Sequence, residues 1–315
     1  MTTVRGTGSE MALATPSQPS RTIRRDLAGV LPSFLVAEPF RMPLAAIGLT
    51  SLDAVFAFDA GRDLAKPNIG RHRRRLQFEV TPVGSDHPVK VYLKRYDRPP
   101  IFGQLRHWLS SHKRRSFARM EYETADRLAA AGICTPHTVA CGEQWGTIFE
   151  HRSFLMTEEV KDSRSLESQL PSCFEGNLTP EKRRAQRDFI DRLASFIRRF
   201  HETGYRHRDL YLSHIFCSRE GDFCLIDLAR TSRPVLRRRF QVKDIAQLHY
   251  SAPVESFTRA DRLRFYLAYA GRRRLLPEDK TFICNVIRKA LQMARHNRKR
   301  GNPIPFLGRV AGKRQ

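Results

Sequence analysis

The sequence predicts an α+β fold of two lobes, a small antiparallel sheet with one main helix followed by a mainly helical half, with a cleft between them. Three observations predict it. Strand-like runs crowd the first half, and helical periodicity dominates the second. Between residues 205 and 227 two acidic residues, Asp209 and Asp227, flank a short hairpin pattern. The 315 residues and 41% hydrophobic content are enough for one two-lobed domain with a sizeable core.

In the first half, Ala54 to Phe58 and Leu76 to Val80 run apolar or alternate, and Val89 to Lys94 alternates. Arg115 to Ala131 reads as a helix with Phe117, Met120, Ala125 and Leu128 near one face, stopped by Gly132. Trp145 to Glu150 and Ser153 to Val160 read as two further strands. The expected organisation is a disordered tail over 1–25, a nucleotide-binding sheet lobe over 26–160, a helical lobe over 161–300 and a basic tail over 301–315. In the second half, Thr179-Pro180-Glu181 opens a helix to about Glu202, with Pro at its first turn. Short strands at 215–217 and 223–226 flank Glu220-Gly221-Asp222. Helices are expected near 242–250, 259–270 and 277–296.

Composition narrows the partners. Lys+Arg total 56 against 32 Asp+Glu, a formal charge of +24, which favours polyanions: nucleic acid, anionic lipid or an acidic glycan. No helix-turn-helix, RNA-binding strand motif or zinc-finger spacing accompanies the charge, so no specific nucleic acid is expected. The six cysteines form no C-x-x-C pair. Cys217 and Cys224 sit in apolar runs and read as small buried hydrophobes in a reducing cytosol. No apolar run of 18 residues is present, and the N-terminal stretch lacks the apolar region of a signal peptide, so the expected location is cytoplasmic.

The chemistry is carried by Tyr205-Arg206-His207-Arg208-Asp209-Leu210, followed by His214 and an apolar strand. His-Arg-Asp-Leu is the catalytic-loop pattern of phosphoryl transfer, in which the Asp receives the acceptor hydroxyl's proton. Asp227 in Leu225-Ile226-Asp227-Leu228 ends a buried strand, and the intervening hairpin returns it to the same end of the cleft, where it suits a magnesium ligand. Lys94, ending an alternating strand on the same side as Tyr92, can reach nucleotide phosphates. Glu121 is its expected partner on the following helix. Glu123, two positions on, faces elsewhere. Phe154 to Val160 resembles a strand entering a hinge, with backbone groups around Glu158 and Val160 meeting the adenine edge. No G-x-G-x-x-G is present. The nearest phosphate-covering candidate is 61–71, with Lys66 and Arg71.

These residues outline a bilobal protein-kinase-like fold, but Asp-Phe-Gly and Ala-Pro-Glu are both missing. Together with Val91 to Tyr96 and Val242 to Leu248, they resemble the Kdo/WaaP family of lipopolysaccharide-core kinases over about 54–300. The resemblance implies ATP and Mg²⁺ as cofactors and an inner-core sugar hydroxyl, heptose or Kdo, as acceptor. It implies Asp209 as base, Asp227 as metal ligand, and Lys94 on the phosphates, oriented by Glu121. His214 stands where protein kinases carry Asn, and either binds a second metal or supports the loop. Since Mg²⁺ prefers oxygen, support is favoured. An anionic glycolipid acceptor places the protein peripherally on the cytoplasmic face of the inner membrane. Residues 100–115, mixing Phe, Leu and Trp with basic side chains, suit such a surface; the alternative is a segment that packs Trp108 into the first lobe. Alternatives of other kinds are a protein Ser/Thr/Tyr kinase, a silent pseudokinase or an anionic-glycan-binding module.

Overall fold

The computed structural model describes residues 34–64, 72–111, 114–174, 176 and 178–299. The expected tails over 1–25 and 301–315, and the phosphate-covering candidates Lys66 and Arg71, lie outside the described residues. The first half opens with β1 (Leu35–Val36), α1 (Arg41–Ala46) and α2 (Leu52–Ala57). It continues with β2 (Arg62–Asp63), β3 (Arg73–Val80), β4 (Val89–Asp97) and α3 (Ile101–Ser111). Then come α4 (Phe117–Ala130), β5 (Thr138–Trp145) and β6 (Glu150–Glu158). The six strands form one antiparallel sheet in the order β1-β5-β6-β4-β3-β2.

Beyond the hinge lie β7 (Ser163–Ser165), α5 (Leu166–Phe174), α6 (Pro180–Glu202), β8 (Ile215–Ser218) and β9 (Phe223–Leu225). The helices α7 (Arg237–Ser251), α8 (Arg259–Ala270) and α9 (Pro277–Arg298) complete the fold. Strands β7-β8-β9 form a second, small sheet. Two apolar cores result. One lies under the six-stranded sheet around Leu76, Leu93 and Phe154. The other joins α6, α7 and α9 around Phe200, Ile245 and Val286, and it also takes Ala125 and Leu128 from α4. Helix α4 therefore spans the junction, and so can set one lobe's side chains against the other's.

The helix starts are fixed locally. Ser116 and Thr179 accept the Arg119 and Lys182 amides, and Thr258 forms a capping box with Asp261. The same rule corrects one expectation. Residues 54–58 are not a strand: Ser51 caps α2, which buries Leu52 and Val55 three residues apart. A second correction concerns 145–150, where only the end residues Trp145 and Glu150 are strand and 146–149 turn between them, closed by the Gly146 amide on the Phe149 carbonyl. The strand is the upstream run Thr138–Trp145, whose small residues Ala140, Cys141 and Gly142 gave little amphipathic signal. A third concerns cysteine: Cys224 is joined to Cys134 by a disulfide, while Cys217 is a free, buried thiol as expected.

Among the described residues no helix is long and apolar enough to cross a membrane. In α3, Trp108 turns inward, donating from Nε1 to the Arg115 carbonyl at 3.1 Å and stacking on Phe149 at 5.6 Å. Phe102 and Leu109 of the same helix are 86% and 78% exposed.

Glu150, at the start of β6, is buried beneath the N-terminus of α4, accepting the Phe117 amide at 3.0 Å and the Ser153 hydroxyl. Burial pushes its carboxyl up to about 7 despite these two bonds. The folded state therefore favours the protonated form. This contribution, about 3 kcal/mol for such a shift, is complete below the unfolded value and is lost as pH rises through about 7. Urea unfolding of wild type should show stability falling across this window, and Glu150→Gln should flatten the slope. An unchanged slope would assign the dependence to other groups.

Candidate functional site

The cleft between the lobes has a volume of about 660 Å³, within the range of small-molecule sites. Strand β4 brings Lys94 to its roof and α4 brings Glu121 behind it. Lys94 Nζ contacts Glu121 Oε1 and lies 3.2 Å from Asp227 Oδ1. Burial alone would lower the Lys94 ammonium, but Glu121 and then Asp227 outweigh it and hold it well above the usual range. Glu123 faces away, as its spacing requires, and pairs with Arg115, Arg119 and Arg127.

The floor is the loop after α6. Two consecutive amides, His207 and Arg208, donate to the fully buried Asp244 of α7 at 2.8 and 2.7 Å. His201 Nε2 approaches the same carboxylate at 3.2 Å. This grip holds Arg208 at a φ of 66°, a left-handed conformation that costs a non-glycine residue on the order of 1–3 kcal/mol. Gln247, one turn after Asp244, accepts the Leu210 amide at 3.1 Å and donates to Asp209 Oδ1 at 3.4 Å. The Asp209 carboxylate is partly exposed, with Arg230 at 3.8 Å.

Two hydrogen bonds tie this loop to Asp227. His207 Nε2 donates to the Ile226 carbonyl at 3.0 Å, and the Ile226 amide donates to the His214 carbonyl at 3.0 Å. Burial lowers the His207 imidazole, and because the Ile226 carbonyl can only accept, Nε2 is the nitrogen that carries the proton. Asp227 also adopts a left-handed φ of 58°, which aims its carboxylate up at Lys94 and at Arg75 of β3, 3.3 Å away. Burial would raise the Asp227 carboxyl, but Lys94 and then Arg75 hold it well below the usual carboxylate range.

His214 donates from Nδ1 to the Asp209 carbonyl at 2.8 Å, since a carbonyl can only accept. In the neutral ring the Nε2 lone pair is then left facing Asp227 Oδ2 at 3.9 Å. The donor set tests the expectation of magnesium. Two partly exposed carboxylate oxygens on Asp227 suit an ion that takes one or two protein carboxylates and fills its shell with phosphate and water. The imidazole is a poorer ligand, and its committed bond is to the loop.

Glu158 and Val160 line the cleft as expected, but the Glu158 amide is already spent on the His137 carbonyl at 2.9 Å. It cannot also donate to a base edge, because β5 pairs through it. Arg75, Asp244 and Gln247 were missed by the sequence reading. Arg75 had a faint signal in the basic run Arg73-Arg74-Arg75, whose third member pairs across the strands with Lys94.

Removing the Asp244 carboxylate leaves two buried amides without an acceptor. Asp244→Ala should therefore destabilise the protein by about 3–5 kcal/mol, and Asp244→Asn by less. Chemical denaturation checks this, and a loss below 1 kcal/mol in the alanine variant would refute the grip described.

The comparisons agree with this architecture. The family model described as lipopolysaccharide kinase (Kdo/WaaP) matches residues 67–269. The lipopolysaccharide core heptose(I) kinase WaaP of Pseudomonas aeruginosa is 31% identical over 195 residues, 59% of this chain and 72% of that protein. The protein of the same description from Escherichia coli K12 is 27% identical over 239 residues, 73% of this chain and 87% of that protein. A solved structure, WaaP in complex with acyl carrier protein, superimposes with a TM-score of 0.63 at 26% identity, covering 82% of this chain and 98% of that one. The family match spans more than half of the sequence and includes Lys94, Asp209 and Asp227, so this kinase-like chain belongs to the lipopolysaccharide kinase (Kdo/WaaP) family and is a phosphotransferase with an alcohol acceptor.

Proposed function

We propose that this chain transfers the γ-phosphate of ATP, with Mg²⁺, to a sugar hydroxyl of the lipopolysaccharide inner core, a heptose by its likeness to the heptose(I) kinases. The observation that carries the reading is that His214 links the Asp209 loop to Asp227, bonding the Asp209 carbonyl and lying 3.9 Å from the Asp227 carboxylate, which itself meets the Lys94–Glu121 pair in the cleft.

In this reading Asp209 accepts the proton of the attacking hydroxyl. Gln247 and the His214–carbonyl bond orient its carboxylate and peptide. Lys94, fixed by Glu121, holds nucleotide phosphates, and the Val160 side of the hinge receives the base. Asp227 would hold Mg²⁺, which supplies charge neutralisation at the transferring phosphoryl group. His214 supports the loop. The acceptor's hydroxyl oxygen forms the new bond to phosphorus, the bridging oxygen departs with ADP, and the hydroxyl proton passes to Asp209.

The location is proposed on α3. Phe102 and Leu109 project into solvent on the helix that also carries Arg106, a pairing of apolar and basic side chains that suits an anionic bilayer surface. Burial lowers the Arg208 guanidinium, and the charges of Arg230 and then of Arg106 in α3 add to this. The helix supports a peripheral protein on the cytoplasmic face, where a membrane-anchored acceptor would be presented to the cleft. The acyl carrier protein bound by the solved WaaP is a candidate partner by that relation alone.

Labelled phosphate transfer to purified core glycolipid tests the chemistry. Asp209→Ala should lower kcat by ~10²–10⁴-fold with Mg·ATP binding retained, whereas Asp227→Ala should weaken Mg·ATP binding itself. Transfer at wild-type rate by both variants would end the mechanism, and label appearing only on protein would make this a protein kinase. Separately, Phe102→Ser with Leu109→Ser should weaken partition onto anionic vesicles by about tenfold or more. Equal partition would remove α3 as the membrane contact.

A further inference from the structure

The groove between α7 and α9 has a volume of about 850 Å³. It is lined by Arg238, Arg239 and Lys243 from α7 and by Arg288, Lys289 and Arg295 from α9. Among the described residues no carboxylate lines it, and none of the six cations has an ion-pair partner. Some arginines of the helical lobe are neutralised by contrast: Arg192 by Asp188 at 3.0 Å, Arg264 by Asp191 at 3.2 Å, Arg272 by Glu278 at 3.0 Å. Arg239 and Lys243, four residues apart on one helix, repel each other.

The groove's inner end is the catalytic loop. Lys243 Nζ donates to the Arg208 carbonyl at 2.5 Å, one residue from Asp209. The Arg208 guanidinium lies 4.9 Å from the ring centre of Phe240, which also lines the groove. A continuous path of positive charge therefore runs from α9 to the residue proposed to take the acceptor's proton.

We propose that this groove is an acceptor subsite that binds the carboxylate- or phosphate-bearing sugars next to the reactive hydroxyl. The proposal rests on the sugar-kinase reading above. Its shape separates it from the membrane contact. A bilayer surface cannot enter a concavity between two helices, and the exposed apolar side chains a bilayer would bury are on α3. Six cations in a recess suit instead a compact saccharide carrying several acidic groups, each met by an arginine fork or a lysine.

The test uses the full chain and the variant Arg239→Glu with Arg288→Glu, both exposed side chains. Titration calorimetry with deacylated core oligosaccharide should show binding that weakens with salt and is lowered about tenfold or more in the variant. The KM for glycolipid should rise in parallel, with Mg·ATP affinity and vesicle partition unchanged. Wild-type oligosaccharide affinity in the variant, or no oligosaccharide binding by the wild type, would overturn the subsite. Loss confined to anionic vesicles would make the groove a lipid contact, and loss confined to an acidic protein would make it a protein dock; either result refutes the proposal. Oligosaccharide binding that depends on the groove, without phosphate transfer by the wild type, would refute the kinase reading and leave the subsite. Transfer with an unchanged KM in the variant would do the reverse.

Discussion

The site depends on one buried carboxylate. Asp244 has no exposed surface and no lysine or arginine ion-paired with it among the described residues; it is solvated by the His207 and Arg208 amides and by His201. A carboxylate so deep is tolerable only when donors replace its water. Two consecutive amides can converge on one acceptor only if the chain turns sharply, and the left-handed Arg208 is that turn. The turn then fixes where Asp209 begins, and His207, held on the same grip, reaches the strand end that carries Asp227. Helix α7 thereby positions both acidic groups while contributing neither.

A second constraint joins the lobes. Lys94 and Arg75 come from the sheet and Asp227 from the helical lobe, so the cleft is bridged by two cations on one carboxylate. Lys94 alone would be costly where it lies. Glu121, on the helix that both cores share, offsets that cost and keeps the ammonium aimed at the cleft. Any ligand that enters with its own negative charge competes with Asp227 for these two cations. The lysine and arginine that bridge the cleft to Asp227 are therefore also the groups available to nucleotide phosphates.

How far this was legible depends on the range of each signal. The His-Arg-Asp loop and Asp227 are local patterns, readable from spacing and from the hairpin between them. Glu121 was separable from Glu123 because helical periodicity puts them on different faces, and the structure places the first on Lys94 and the second among arginines. Arg75 could not be found this way. Its pairing with Lys94 is a register between β3 and β4, and its contact with Asp227 spans 152 positions. Asp244 is an ordinary helix residue in sequence, and only the fold sets it under a loop 36 and 37 positions away. The misreading of 54–58 had a local cause: a capped two-turn helix and a short strand both look like a brief apolar run.

The formal charge of +24 shows the same limit from the other side. As a sum it says only that anions are attracted. The structure divides the cations by environment. Some are spent on carboxylates, as on α6 and α8. Others sit over aromatic rings, Arg73 on Tyr96 and Arg114 on Trp145, where they act largely as apolar cover. Six others line the groove between α7 and α9 with no carboxylate among its lining residues, and its inner end reaches the loop that carries Asp209. Net charge is a property of composition, but an unpaired cation is a property of the fold. The fold sets six such cations around one groove whose inner end is the catalytic loop, where an acidic acceptor is proposed to lie.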